Sequence, residues 1–265
     1  MAKPLVRAFD GRKGFRLIQL LRGTALAFLI AFLLPVAATA TWWSATERPA
    51  SWRAADWGPS GVLPAPTPED AAIYVMAART GGFKGALSVH SWLVLKKPGQ
   101  SEFVRYDKVG WGAPVRRNAY AADAFWYSNR PFVVHAVKGE AAERLISQVE
   151  AAVAAYPHSR PGDYRIWPGS NSNSFVAYVA GVVPDLGVSM PPNATGRDFA
   201  PGVVSLRIAP DWRDLHVTIS GLAGFALGWR SGIEVHLLGA VVGVDLARPA
   251  LKVPAFGRVE LGFGG

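Results

Sequence analysis

Apolar residues form three patterns along this chain, and each pattern predicts a different kind of element. Thr24 to Trp43 is an uncharged run of twenty residues, the length that crosses a bilayer core of about 30 Å as one helix. Over residues 68–200, alternating stretches and helical spacings predict a mixture of strands and helices. Over residues 201–265, short apolar stretches separated by glycines predict a β-rich segment.

The charges that flank the apolar run predict how it lies in a membrane. The formal net charge of the chain is +9, and residues 1–23 carry six basic residues against one acidic residue. Because basic flanks stay in the cytoplasm, we expect a basic cytoplasmic tail over 1–23 and a single transmembrane helix over 24–43 in the inner (plasma) membrane. The folded part is then periplasmic or otherwise extracytoplasmic. The remaining basic residues form no stripe, so a nucleic-acid partner is not expected.

A cleaved signal peptide is the alternative interpretation of the same run. Ala38-Thr39-Ala40 is a small-residue pattern of the kind at which signal peptides are cut. The long basic region favours an uncleaved anchor. The pair Trp42 and Trp43 favours it too, because amphipathic rings suit the headgroup layer at the end of a span.

The pattern after the apolar run predicts an α+β fold. Residues 44–67, rich in proline, alanine and tryptophan, indicate a linker. Thr67-Pro68-Glu69-Asp70 has the residues of a helix N-terminus and predicts a helix that ends at Gly81-Gly82. The other predicted elements are strands over 86–95, 103–109 and 132–137, helices over 140–156 and 171–184, and five strands within 204–253. We therefore expect an antiparallel sheet packed by helices over 68–200, and a β-rich C-terminal extension over 201–265.

Two segments carry side chains that could do chemistry together. Ser88-Val89-His90-Ser91-Trp92 lies in a predicted strand, and Gly169 to Phe175 (GSNSNSF) is a loop that enters a predicted helix. A helix N-terminus offers free backbone N–H groups and a partial positive charge. Ser172 is thus a candidate nucleophile with His90 as its general base, and the N–H of Ser172 or Asn173 a candidate oxyanion donor.

A third residue should orient the imidazole of His90. If Pro98-Gly99 are the central turn residues of the hairpin, His90 faces Asp107 across the two strands, which makes Asp107 the candidate. Asn171, Asn173 and Trp92 are the candidate binding residues around this group.

A purely structural interpretation stays open for the same residues. Asn, Ser and Gly before an apolar helix are ordinary capping residues, and His90 can simply pack beside Trp92. The chain has no cysteine, which excludes disulfides, a thiol nucleophile and cysteine-ligated zinc. The five histidines show no spacing typical of a metal site, so neither a metal nor a cofactor is predicted.

The order of the two segments resembles that of permuted papain-like domains, the group of lecithin:retinol acyltransferase-like proteins and permuted NlpC-type peptidases. Those proteins have a strand histidine and, later, a nucleophilic cysteine at a helix N-terminus in an Asn-Cys-x-x-Phe pattern. Here His90 precedes Asn171-Ser172-Asn173-Ser174-Phe175, and Ser172 stands in the place of the cysteine. The resemblance implies a papain-like fold over residues 68–200.

The chain is also similar to an uncharacterised family of bacterial membrane proteins, a domain of unknown function. The similarity covers about residues 70–250. It is carried by Pro168-Gly169-Ser170-Asn171-Ser172-Asn173 and by Pro192-Asn193-Ala194-Thr195-Gly196-Arg197-Asp198. It implies no known substrate.

Two functional hypotheses of different class follow. In the first, the protein is a hydrolase or acyltransferase on cell-envelope material, anchored through residues 24–43, with Ser172, His90 and Asp107 as catalytic residues. In the second, it is a non-catalytic envelope protein that binds a lipid, glycan or protein partner through a degenerate papain-like cleft.

Overall fold

A computed structural model describes residues 11–69, 71–209 and 211–262. Its first element is a continuous helix made of α1 (Gly11–Phe28), a π-helical turn (Leu29–Leu33) and α2 (Leu34–Ser44). Gly14–Ser44 is long and apolar enough to be a membrane span or a signal sequence, as the uncharged run predicts. Residues 1–10, part of the predicted basic tail, lie outside the described residues.

The C-terminal end of this helix packs on the folded part of the chain. Trp43 is buried, and a side chain at Gly85 would overlap its ring. The Arg48 guanidinium lies 3.6 Å from the centre of the Trp43 ring. The expectation that both tryptophans face the headgroup layer is therefore wrong for Trp43, while Trp42 stays exposed.

The first sheet is antiparallel and has the strand order β4-β3-β2-β1-β5. Its strands are β1 Ala72–Arg79, β2 Val89–Lys96, β3 Phe103–Lys108, β4 Val115–Arg117 and β5 Phe132–Lys138. The helix predicted to end at Gly81-Gly82 is wrong, because that segment holds β1. β1 is the inner strand between β2 and β5 and is buried on both faces, so its continuous apolar run outweighs the capping residues before it.

Helices α3 (Glu140–Ala154) and α4 (Ser172–Val182) cover one face of this sheet. Ile73, Val75 and Ala77 of β1 face them in the main core. The opposite face packs against residues outside regular elements, including Leu63 and Trp126. The segment 44–67 contains no helix or strand beyond the end of α2, yet it contributes to this second core.

The second sheet is a seven-stranded antiparallel meander in the order β12-β11-β10-β9-β8-β7-β6. Its strands are β6 Val204–Ile208, β7 Asp214–Ile219, β8 Ala223–Gly228, β9 Gly232–Leu237, β10 Ala240–Asp245, β11 Ala250–Val253 and β12 Gly257–Glu260. The predicted meander lacked β8, which contains two glycines, and β12, which has four residues and begins with a glycine. The α+β class with antiparallel sheets is confirmed, and the papain-like permutation stays a prediction.

Candidate functional site

The N-terminus of α4 is built by a capping box rather than by Ser172. Asn171 is the cap, and its side-chain oxygen accepts the backbone N–H groups of Asn173 and Ser174 at 2.9 and 3.0 Å. The Ser174 hydroxyl accepts the N–H of Asn171 in return. The Asn171 amide also donates to the carbonyls of Ile166 and Thr195, so one residue both starts the helix and holds the two loops beside it.

Asn173 fastens the start of α4 to strand β2 on both sides of His90. Its amide nitrogen donates to the carbonyl of Val89 at 2.9 Å, and its amide oxygen accepts the hydroxyl of Ser91 at 2.8 Å. Because side chains alternate along a strand, these bonds hold α4 on one face of β2, and the His90 ring lies on the other face, against Trp126. The two separate segments found in the sequence are thus brought together.

Ser172 is the first residue of α4 and is buried, but its hydroxyl takes no part in the cap. Within the described ranges, no hydrogen bond joins it to His90 or to another protein group. Both residues are nevertheless among those that line one cavity of about 510 Å³. The interpretation of Ser172 as a capping residue is therefore wrong, because the side chains of Asn171 and Ser174 form the cap.

Asn171→Ala should lower the free energy of unfolding by about 1–2 kcal/mol, because the helix then loses its cap. Ser172→Ala should leave it almost unchanged, since no protein hydrogen bond is lost. Urea titration of the two variants checks the contrast. An equal loss in both variants would assign Ser172 a structural role after all.

His90 is bound to a clamped carboxylate behind the cavity. Its Nε2 lies 2.9 Å from Oδ1 of Asp107. Asp107 is fully buried and also accepts two bonds from the Arg105 guanidinium, at 2.6 Å on Oδ2 and 2.8 Å on Oδ1. The candidate orienting residue therefore contacts His90. Arg105, which was not among the predicted site residues, fixes that carboxylate in place.

The strand register differs from the predicted one by two residues. Leu93 pairs with Tyr106, whereas a turn centred on Pro98-Gly99 would place it opposite Val104. A shift of two keeps every side chain on its face of the sheet. His90 and Asp107 are thus diagonal neighbours on one face, within reach of each other.

The electrostatics of the pair set the protonation of the imidazole. Burial lowers the pKa of His90 below its ordinary 6.5, and the bond to Asp107 opposes this only in part. Burial alone would raise the pKa of Asp107, but the charge of Arg105 and the bond from His90 outweigh it and keep the carboxyl ionised. An ionised carboxylate only accepts, so the neutral ring carries its proton on Nε2 and has its lone pair on Nδ1.

Aromatic rings fix the plane of the imidazole. Trp126 stacks on His90 with ring centres 3.7 Å apart and planes within 4°. The guanidinium of Arg105 lies 4.0 Å from the Trp92 ring. Trp92, a predicted binding residue, is fully buried, donates its indole N–H to the carbonyl of Ala122 and is not among the residues that line the cavity. Trp92 therefore packs against the guanidinium of Arg105 and is not positioned to contact a ligand in the cavity.

The cavity itself is largely apolar and has one wall formed by the N-terminal helix. Asn171, Ser172 and Asn173 lie at its polar side together with His90. The opposite walls come from the apolar helix and from the β9–β10 hairpin, through residues Phe28, Phe32, Leu33, Val36, Leu237, Leu238 and Ala240. Among the described residues, no group of three or more His, Asp and Glu side chains is placed to hold a metal ion.

Comparison with known proteins places this site inside one matched segment. Residues 70–199 match a family described as a protein of unknown function (DUF3750). That segment holds His90, Asp107 and Ser172, and it ends before the second sheet. No curated protein and no solved structure matches the chain. The part of the chain that carries the candidate site is thus similar to an uncharacterised family, DUF3750.

Proposed function

We propose that this protein is a membrane-anchored hydrolase or acyltransferase that acts on cell-envelope material. In this proposal Ser172 is the nucleophile, His90 the general base and Asp107 the residue that orients it. One observation carries the proposal. His90 is held through Nε2 by a clamped Asp107, its second ring nitrogen has no partner among the described residues, and His90 and Ser172 are among the residues that line one cavity.

The reaction follows from these positions. As the Ser172 oxygen bonds to an acyl carbon of the substrate, Nδ1 of His90 takes the hydroxyl proton. The bond to the leaving group then breaks, and His90 returns that proton to the leaving oxygen or nitrogen. Water or an acceptor alcohol or amine next attacks the acyl-serine with the same base, which frees Ser172. Hydrolysis and acyl transfer differ only in this acceptor.

The helix N-terminus has a narrower role than the sequence predicted. The N–H of Asn173 is already bound to Asn171, which leaves the N–H of Ser172 as the candidate oxyanion donor. The helix field cannot ionise a serine hydroxyl, so the base is indispensable. The His90 ring lies on the sheet face opposite α4, so the proposal requires Nδ1 to reach Ser172 past the start of β2 when substrate binds.

The same proposal includes the placement of the chain. Residues 24–43 span the inner membrane with residues 1–23 in the cytoplasm, and residues 44–67 link the span to the domain. A papain-like domain over 68–200 and the extension over 201–265 lie outside the cytoplasm. A non-catalytic envelope protein that binds a lipid, glycan or protein is the second candidate. It is favoured by the apolar walls of the cavity and by the missing bond between Ser172 and His90.

Ser172→Cys tests the site through the reactivity of a single thiol, because the chain has no native cysteine that could react as well. The helix N-terminus and His90 should lower the pKa of this thiol below the ordinary value of about 8.5. Ser147→Cys, an exposed serine within α3, is the matched control and should keep the ordinary value. The pH dependence of alkylation by iodoacetamide measures both. A thiol at position 172 no more acidic than the one at position 147 would favour the binding protein.

A further inference from the structure

The second sheet buries charged side chains and exposes apolar ones, which is the reverse of the usual pattern in a soluble protein. Along β9, Glu234 and His236 are buried, whereas Ile233 and Val235 between them are about half exposed. The same alternation recurs on other strands of the sheet. The apolar side chains exposed on this face are Val204, Leu206, Ile208, Ile219, Phe225, Leu227, Ile233, Val235, Leu251 and Val259. The strand pairing aligns them into one continuous surface, the apolar sheet face.

The area of this face is that of an interaction surface. Seven strands about 4.8 Å apart, each about 20 Å long, cover on the order of 600 Å². Apolar patches of this size on a folded protein mark contact with a membrane or with another protein. In water the face would remain uncovered within the described part of the chain.

Buried charges fix which face points outward. Glu234 accepts from Arg197 and from Lys252, and the His236 ring lies 3.4 Å from the carboxylate of Asp198. Arg197 and Asp198 belong to the loop that follows α4, so these contacts hold the charged face of the sheet on the first domain. If the apolar face were packed on the first domain instead, Arg197 and Asp198 would lose their partners in the sheet, and leaving such buried charges unpaired has a high energetic cost.

The apolar sheet face is continuous with the apolar N-terminal helix. The β9–β10 hairpin, residues 237–240, lines the cavity together with Phe32, Leu33 and Val36. Leu33 is nine residues before the exposed Trp42, which corresponds to about 14 Å along a helix axis. If Trp42 marks the outer end of the span, the hairpin tip lies at the depth of the hydrocarbon core.

Exposed tryptophans occupy the other end of the sheet. Trp212 and Trp229 lie in the β6–β7 and β8–β9 turns and are 81% and 61% exposed. In an antiparallel meander these turns are at the opposite end from the β9–β10 hairpin. An indole favours the headgroup layer, so a hairpin in hydrocarbon and tryptophans nearer the surface form a consistent arrangement.

We propose that the apolar sheet face lies in the outer leaflet of the membrane that the N-terminal helix spans, with lipid acyl chains as its occupant. The proposal rests on the span proposed above, but not on the reactivity of Ser172. It gives the second sheet a role in holding the cavity against the bilayer, where an amphiphile can enter from the lipid side.

Single spin labels on the full-length protein in phosphatidylglycerol and phosphatidylethanolamine nanodiscs test this. The absence of native cysteine allows Val235→Cys on the sheet face, Ile30→Cys on the helix and Ser147→Cys on α3, which packs against α4 and the first sheet. We expect the labels at 235 and 30 to be accessible to oxygen and shielded from a water-soluble nickel chelate. The label at 147 should show the reverse.

Three results would overturn the proposal, each for a different reason. A water-exposed label at 235 with a lipid-exposed label at 30 would keep the span and remove the sheet from the bilayer. Spin–spin coupling between labels at 235 that disappears on dilution with unlabelled protein would assign the face to a second copy of the chain. A water-exposed label at 30 would remove the span itself. None of these results bears on the labelling of Ser172, which is tested separately.

Discussion

Asp107→Ala should lower the free energy of unfolding by about 3–5 kcal/mol, the cost of removing one partner from a buried ion pair. Asp107 is fully buried and accepts both from Arg105 and from His90. Without it, the buried Arg105 guanidinium beneath the Trp92 ring loses the carboxylate that balances its charge. Chemical denaturation followed by circular dichroism measures the loss.

Two further variants separate this cause from a general effect of losing a carboxylate. Glu140→Ala removes an exposed partner of Arg144 and should leave stability nearly unchanged. Arg105→Met combined with Asp107→Leu replaces both buried charges and should recover most of the lost stability. A cost for Asp107→Ala that is no larger than that of Glu140→Ala would contradict the clamped carboxylate.

His90→Ala should slow the reaction of Ser172 with a fluorophosphonate by about 10²–10⁴-fold, the range of general base catalysis. A serine hydroxyl stays protonated at neutral pH, and the proposed mechanism assigns the role of base to His90, which is among the residues that line the same cavity. The rate of covalent labelling, followed by intact mass, measures the change. His135→Ala, on the edge strand β5, is the matched control and should react like the wild type.

The pH dependence of this rate follows from the protonation of His90. Only the neutral ring is a base, and burial lowers its pKa below 6.5. The wild-type rate should therefore fall to half of its plateau only at a pH below 6.5. A half-maximal rate at a pH above 6.5, or equal rates in wild type and His90→Ala, would contradict a general base at position 90.

Much of the site could be predicted because its residues lie in local patterns. His90 on a strand, and Asn171 to Ser174 before an apolar helix, are recognisable from the sequence alone. Asp107 was predicted from a register that is wrong by two residues, and the contact survives because an even shift preserves the face. Arg105 had a usable signal, since it shares a strand face with Asp107 two residues away. Trp126 had none, because it comes from a loop.

Two features could not be predicted because tertiary packing decides them. The capping residues at 67–70 favour a helix, but the following residues are buried on both sides of a sheet and form β1. In the second sheet, the alternation of Val235 with Glu234 and His236 predicts a strand. It does not predict which face of that strand packs against the rest of the protein. The usual rule places charges outside, whereas pairing with Arg197 and Asp198 places them inside.

Peptide mapping after reaction with an alkyl fluorophosphonate shows whether Ser172 is the nucleophile. Full-length protein in nanodiscs is exposed to the reagent, digested and sequenced by mass spectrometry. We expect one adduct, on Ser172, that is absent from Ser172→Ala and retained in Ser174→Ala. No adduct on Ser172 at saturating reagent, or an adduct on another serine that persists in Ser172→Ala, would contradict it.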